Sequence, residues 1–112
     1  MKKKLLVIIS TDNKDMIKFA LNFTYNVKTD KTLEDVKLFF FGTSEKEISQ
    51  NEQLQMQFIK IVKEGDFIPV ACINVANNYN IKDKLESLGF KLTQIGEDIS
   101  ESINSGYIPL TF

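Results

Sequence analysis

Phe67-Ile68-Pro69-Val70-Ala71-Cys72-Ile73-Asn74-Val75-Ala76 reads as a short buried strand that ends on the one cysteine of the chain, just where the backbone must turn toward its next helix. The run is apolar without polar alternation, as in a strand covered on both faces of a parallel sheet. Pro69 supplies no ladder donor, so the segment Phe67 to Cys72 either leaves its amino end unpaired or begins pairing after the proline. Asn74 to Asn78 reads as a short helical turn or a loop. A strand feeding a helix is the unit of an α/β fold, and the rest of the chain repeats it.

Toward the amino end, Glu64-Gly65-Asp66 stops a helical region running from about Glu45 to Lys63 and broken near Ser49 to Asn51. Ile48, Leu54, Phe58, Ile61 and Val62 form its inward stripe, Met56 and Ile59 lie off that stripe, and Ser44 with Glu47 has capping-box spacing. Val36 to Phe41 is a strand closed by Gly42, and Lys28 to Asp35 is a polar loop. Met16, Phe19, Ala20, Phe23 and Val27, widened by Ile17 and Leu21, mark a helix from Lys14 to about Val27. Lys4 to Ile9 is a β-branched apolar strand, followed by the N-cap residues Ser10-Thr11-Asp12-Asn13.

Toward the carboxyl end, Asn80 to Asp83 reads as an N-cap for a helix to Leu88, with Ile81, Leu85 and Leu88 on one face. Gly89 followed by Phe90 has the form of a Schellman terminus. Phe90 to Ile95 alternates as a strand nearer an edge, and Glu97 to Ser105 is a short helix with acidic residues at its positive end. Gly106 stops it before a last strand, Tyr107 to Phe112. The order β-α-β-α-β-α-β-α-β predicts a single domain over 1–112: a three-layer α/β/α fold with an open, mainly parallel sheet of about five strands and right-handed crossovers.

At 112 residues, 43% hydrophobic and 26% charged, the chain suits one globular core. All 14 basic residues are lysine, and there is no histidine. That removes Ser-His and Cys-His dyads, His-bearing metal sites and bidentate guanidinium clamps. The lysines are scattered among 15 acidic residues for a net charge of −1, which excludes the basic stripe of a nucleic-acid binder. Only Leu5 to Ile9 follow the Lys2-Lys3-Lys4 cluster before polar residues return, too short a run for a secretory or membrane-spanning segment. A lone thiol outside any disulfide framework fits a reducing interior, so the chain reads as cytoplasmic, with no membrane partner.

In an open α/β sheet, sites gather beyond the carboxyl ends of the strands. That crevice rim carries Ser10, Thr11, Asp12 and Asn13 after the first strand, Gly42, Thr43 and Ser44 after the second, and Cys72 with Asn74 after the third. Cys72 is the strong nucleophile among them. At the start of a helical turn a thiol meets backbone N–H groups and the positive dipole end, which favour thiolate and lower its pKa. Sulfur transfer between thiols then needs no histidine. Read blandly, Cys72 between Ala71 and Ile73 is a small buried hydrophobe. Ser10, Thr11 and Asn13 have the hydroxyl-rich look of a phosphate cradle, but no Gly-rich fingerprint follows and helix capping explains them, so no cofactor is expected. Asp12 and Asp15 sit where a first helical turn favours carboxylates, and no metal is expected.

The strand Lys2-Lys3-Lys4-Leu5-Leu6-Val7-Ile8-Ile9-Ser10, Phe39-Phe40-Phe41-Gly42, Ala71-Cys72-Ile73-Asn74-Val75-Ala76 and Tyr107-Ile108-Pro109-Leu110-Thr111-Phe112 occur in the order and spacing of the DsrE-like proteins of sulfur metabolism, which the whole chain resembles. The resemblance implies a sulfur relay in which Cys72 accepts and passes on persulfide sulfur between donor and acceptor proteins, and assembly as a dimer, trimer or hexamer. Where many members carry an Arg-Gly pair after the cysteine, this chain has Asn77-Asn78-Tyr79-Asn80. Two readings therefore stand: a sulfur carrier with Asn74 and the backbone after Cys72 stabilising the anion, and a non-catalytic binding or scaffold subunit with a structural Cys72. Met56, Ile59, Phe39, Phe41, Tyr79 and Phe112 are more apolar side chains than one small core accommodates, which points to a homo-oligomer.

Overall fold

The computed structural model describes residues 1–112. Strand β1 (Lys4–Ile9) pairs along its whole length with β2 (Asp35–Phe40), from Lys4 opposite Asp35 to Ile9 opposite Phe40. On its other side it pairs with β5 (Tyr107–Thr111). Next to β2 lie the three-residue strands β3 (Val70–Cys72) and β4 (Lys91–Thr93). The order is β4-β3-β2-β1-β5 and every pairing is parallel.

This order fixes where the helices go. The connections β1 to β2 to β3 to β4 step the same way across the sheet, so right-handed crossovers put their helices on one face. They comprise α1 (Lys14–Thr29), α2 (Thr43–Gln50), α3 (Glu52–Gly65), α4 (Ile73–Asn78) and α5 (Lys82–Ser87). The return from β4 to β5 sends α6 (Ile95–Asn104) across the opposite face. The domain is thus a three-layer α/β/α fold with unequal outer layers.

Two apolar clusters reflect that inequality. Val7, Ile9, Leu38, Phe40 and Ala71 of the sheet join Ile17, Ala20 and Leu21 of α1, Ile48 of α2, Phe58 of α3 and Leu85 of α5 in the larger one. Phe40, Phe58 and Phe90 form its aromatic centre, with Phe58 stacked on Phe90 at 4.5 Å and Phe40 edge-on to both. Leu6, Ile8, Phe39, Val70, Cys72 and Ile95 make the smaller cluster beneath α6.

The sheet begins pairing at Val70, after Pro69. Pro69 is buried and its carbonyl accepts from Lys91 N–H at 2.9 Å, so it closes the edge as an acceptor where it cannot donate. The expected strands at 67–72, 36–41 and 90–95 are accordingly 70–72, 35–40 and 91–93. Ile95 is the buried start of α6, not the end of a strand. On α1 the core stripe is Ile17, Ala20, Leu21 and Thr24, while Met16 and Phe19 are exposed. The long helical region is divided at Asn51, whose side chain caps α3 by accepting from Leu54 N–H at 3.0 Å. Gly89 has φ of +102° and Phe90 N–H reaches back to Leu85 O, the Schellman arrangement. The capping box is not Ser44 to Glu47: α2 starts at Thr43, and it is Glu45 that reaches back to Gly42 N–H.

Candidate functional site

The rim residues of the first three strands are brought together. β1 and β2 end side by side, and Thr43 Oγ1 donates to Ser10 O at 3.2 Å while Ser44 Oγ donates to Ile9 O at 2.5 Å. Gly42 sits at φ of +98°, a left-handed turn that lets α2 start directly over this junction. Thr11 Oγ1 accepts from Asn13 N–H, and Asn13 Oδ1 caps α1 through Met16 N–H, which draws Asn13 out of the crevice and into the helix start.

Beside the end of β1, the rim is filled by protein from the end of β5. Ser10 N–H and Thr11 N–H both donate to Phe112 O, at 2.8 and 3.1 Å, and Ser10 Oγ donates to it as well. The donors that a phosphate would use are thereby engaged. Asn74 lies exposed on α4, where its Nδ2 donates to Gln94 Oε1 at 3.0 Å and ties the loop after β3 to the loop after β4.

Cys72 is the last residue of β3 and the N-cap of α4, with its side chain making no cap hydrogen bond. It is 5% exposed and belongs to the smaller apolar cluster. The β2–β3 ladder stops at Phe40 opposite Ala71, and the next N–H, that of Cys72, donates instead to Glu45 Oε2 at 3.2 Å. The same oxygen accepts from Gly42 N–H at 3.2 Å. One carboxylate oxygen thus joins the end of β3 to the turn after β2.

Glu45 is the residue that sequence reasoning missed. It is 0% exposed, and its Oε1 has no hydrogen-bond partner. Burial pushes its carboxyl up to about 7, against the opposing pull of the Gly42 and Cys72 N–H groups. A glutamate at the third position of a helix after Phe-Gly carries the signal of an N-cap contact; placing the helix start at Ser44 hid it. The structure therefore has a thiol and a buried, titratable carboxylate attached to the same backbone link.

A separate cleft of about 450 Å³ lies at the amino ends of β2, β3 and β4, lined by Asp35, Lys37, Ile68, Lys91, Asp98 and Glu101 among others. It is remote from the rim at the carboxyl ends. No group of three or more Cys, Asp or Glu is placed to hold a metal ion, and no helix is long and apolar enough to cross a membrane.

Neither protein-family models nor curated proteins match this chain. Among solved structures, it is similar to a conserved protein of unknown function from Bacteroides thetaiotaomicron, with a TM-score of 0.88 and 21% identity over 98% of this chain and 95% of that one. At that identity the likeness speaks for the fold alone.

Proposed function

We propose that the protein is a sulfur carrier of the DsrE-like kind, holding persulfide on Cys72 and passing it to a protein partner. The observation that carries this reading is the position of Cys72: the chain's one thiol sits at the carboxyl end of an interior strand, among the loops where open α/β sheets act. The resemblance of the Ala71 to Ala76 segment to the family's sulfur-bearing segment supports it.

In the transfer, the Cys72 thiolate attacks the outer sulfur of a donor persulfide. A new S–S bond forms at Cys72 Sγ as the donor's S–S bond breaks, and the donor thiolate leaves with the electron pair. Delivery repeats the exchange with an acceptor thiolate, so no net oxidation occurs. The Cys72 side chain makes no cap hydrogen bond at rest, so the backbone N–H groups at the start of α4 support the anion only after the thiol turns toward them, and Asn74 contributes only if it exchanges its Gln94 partner.

The test is intact mass after incubation with a cysteine desulfurase and cysteine. Wild type is expected to gain one sulfur, reversed by reductant and absent in Cys72→Ser. Absence of the gain in a protein whose Cys72 can be alkylated overturns the carrier reading. The second reading, a scaffold subunit with a structural cysteine, is favoured by the 5% exposure of Cys72 within an apolar cluster. In either case we propose self-association in the cytoplasm. Met56, Ile59 and Phe41 are 73%, 49% and 42% exposed, whereas Phe39 is buried in the domain's own core and leaves the set. Light scattering is expected to find an oligomer at micromolar concentration; a monomer removes the proposal.

A further inference from the structure

A buried carboxylate with one unpartnered oxygen is an unusual component of a strand end. Glu45 is fully covered, its Oε2 accepts from the N–H groups of Gly42 and Cys72, and its Oε1 meets no donor. Protonated, such a group costs far less to bury than when ionised, since the ionised form retains a charge out of water with only two neutral donors to stabilise it. No cation offsets that charge. On α2 itself Lys46 lies over the Tyr79 ring at 5.4 Å from its centroid, and Glu47 is bound to Asn51. The lysines and acids of α3 and α5, Cys72 and Tyr79 beside α4, and Asp12 and Lys14 before and in α1 make no ion pair with Glu45; the chain's one salt bridge is Lys4 with Glu34.

The segment that Glu45 holds is short: β3 has two pairings with β2 and three with β4, and α4 beyond it contributes one fully buried residue, Ala76. Segments with few buried apolar contacts open at low free-energy cost. Opening here would hydrate Glu45 and expose Cys72 together, because one hydrogen bond joins them.

We propose that Glu45 is a proton-operated latch on Cys72: the protonated carboxyl keeps the β3–α4 junction closed over the thiol, and its ionisation favours the open form in which the thiol is accessible. This rests on the carrier reading only for its purpose, since it gives a buried cysteine a way to meet a donor. The raised titration of Glu45 sets the range. The open form titrates as ordinary glutamate near 4.5 and the closed form near 7, so accessibility rises between these values and levels off above them.

The experiment is the rate of Cys72 modification by a dipyridyl disulfide from pH 5 to pH 8. Each rate is divided by that of the urea-unfolded protein to remove the thiol's own ionisation. For wild type the protection is expected to fall by roughly 50- to 100-fold across the range, with most of the change below pH 7. Glu45→Gln is expected to give a flat profile. Ser44→Ala, which loosens the same helical turn without removing the carboxylate, is expected to lower protection equally at every pH and keep the slope. Should Glu45→Gln fail to fold, Glu45→Met serves as the untitratable variant. A flat wild-type profile, or an equal slope in wild type and the untitratable variant, overturns the latch. Neither result bears on sulfur loading, and failure to gain sulfur in the mass experiment leaves the latch standing, so the two failures are distinguishable.

Discussion

Glu45 connects chemistry to stability through the proton it holds. Its folded carboxyl lies at about 7, above the 4.5 of an ordinary glutamate, so the unfolded chain releases that proton first as pH rises. The contribution of Glu45 to stability is therefore full below pH 4.5 and is lost progressively up to about pH 7, beyond which it is constant. Glu45→Gln keeps an acceptor for Gly42 and Cys72 N–H but has nothing to titrate. Urea unfolding of both proteins between pH 4.5 and 8 is expected to show the variant gaining on wild type by on the order of 1 to 3 kcal/mol as pH rises. A constant difference across that range would mean that Glu45 is not the titrating group. Gly42 is the second residue on which the site depends. Alanine there is expected to cost about 1 to 2 kcal/mol in the same measurement, because φ of +98° is strained for any side chain even though a Cβ would meet only Ser10 O, at an ordinary contact distance of 3.9 Å.

At the scale of elements, the elbow between α2 and α3 keeps α2, and with it Glu45, over the strand ends. Asn51 forms that elbow: its Oδ1 accepts from Leu54 N–H, its N–H donates to Glu47 O, and Gln55 Nε2 adds a bond to Ile48 O at 2.8 Å. Asn51→Ala is expected to lower stability by about 1 kcal/mol in chemical denaturation, the usual loss for an N-cap. β5 is secured differently. Tyr107 OH donates to Asp35 across β1, and Lys37 lies over the Tyr107 ring at 4.4 Å while donating to Ser102 Oγ of α6. Burial, followed by the neighbouring Asp35, pushes the phenol up to about 12, so it remains a donor at any ordinary pH. This polar cross-tie sits at the amino ends of the strands, opposite the Cys72 rim. Tyr107→Phe is expected to cost about 1 kcal/mol, read by the same denaturation, through loss of one hydrogen bond.

For the whole molecule, unequal layers and unequal strand lengths imply unequal local stability. β1 and β2 pair at six positions and sit between helices, whereas β3, α4, α5 and β4 are short and lie toward one edge. Native-state hydrogen exchange is expected to find the amides of Leu6 to Ile9 and Leu38 to Phe40 slowest, with those from Ile73 to Thr93 faster by at least about tenfold. Uniform exchange would contradict both this gradient and the opening that the latch requires. The same gradient explains what could be read from residue order. The β/α alternation, the break at Asn51, the Schellman end at Gly89 and the start of pairing after Pro69 follow from local signals: apolar period, capping side chains, and the donor that proline lacks. The amino acid sequence by itself thus determined a three-layer parallel α/β domain with Cys72 at a strand end. Only the tertiary structure decided that Ile17 and Leu21 rather than Met16 and Phe19 face the core, that Phe112 fills the crevice beside Ser10, and that Glu45 is buried against Cys72 N–H. These depend on which strands lie side by side and in what register, and contacts between residues 27 or 102 positions apart leave no period in the chain to reveal them.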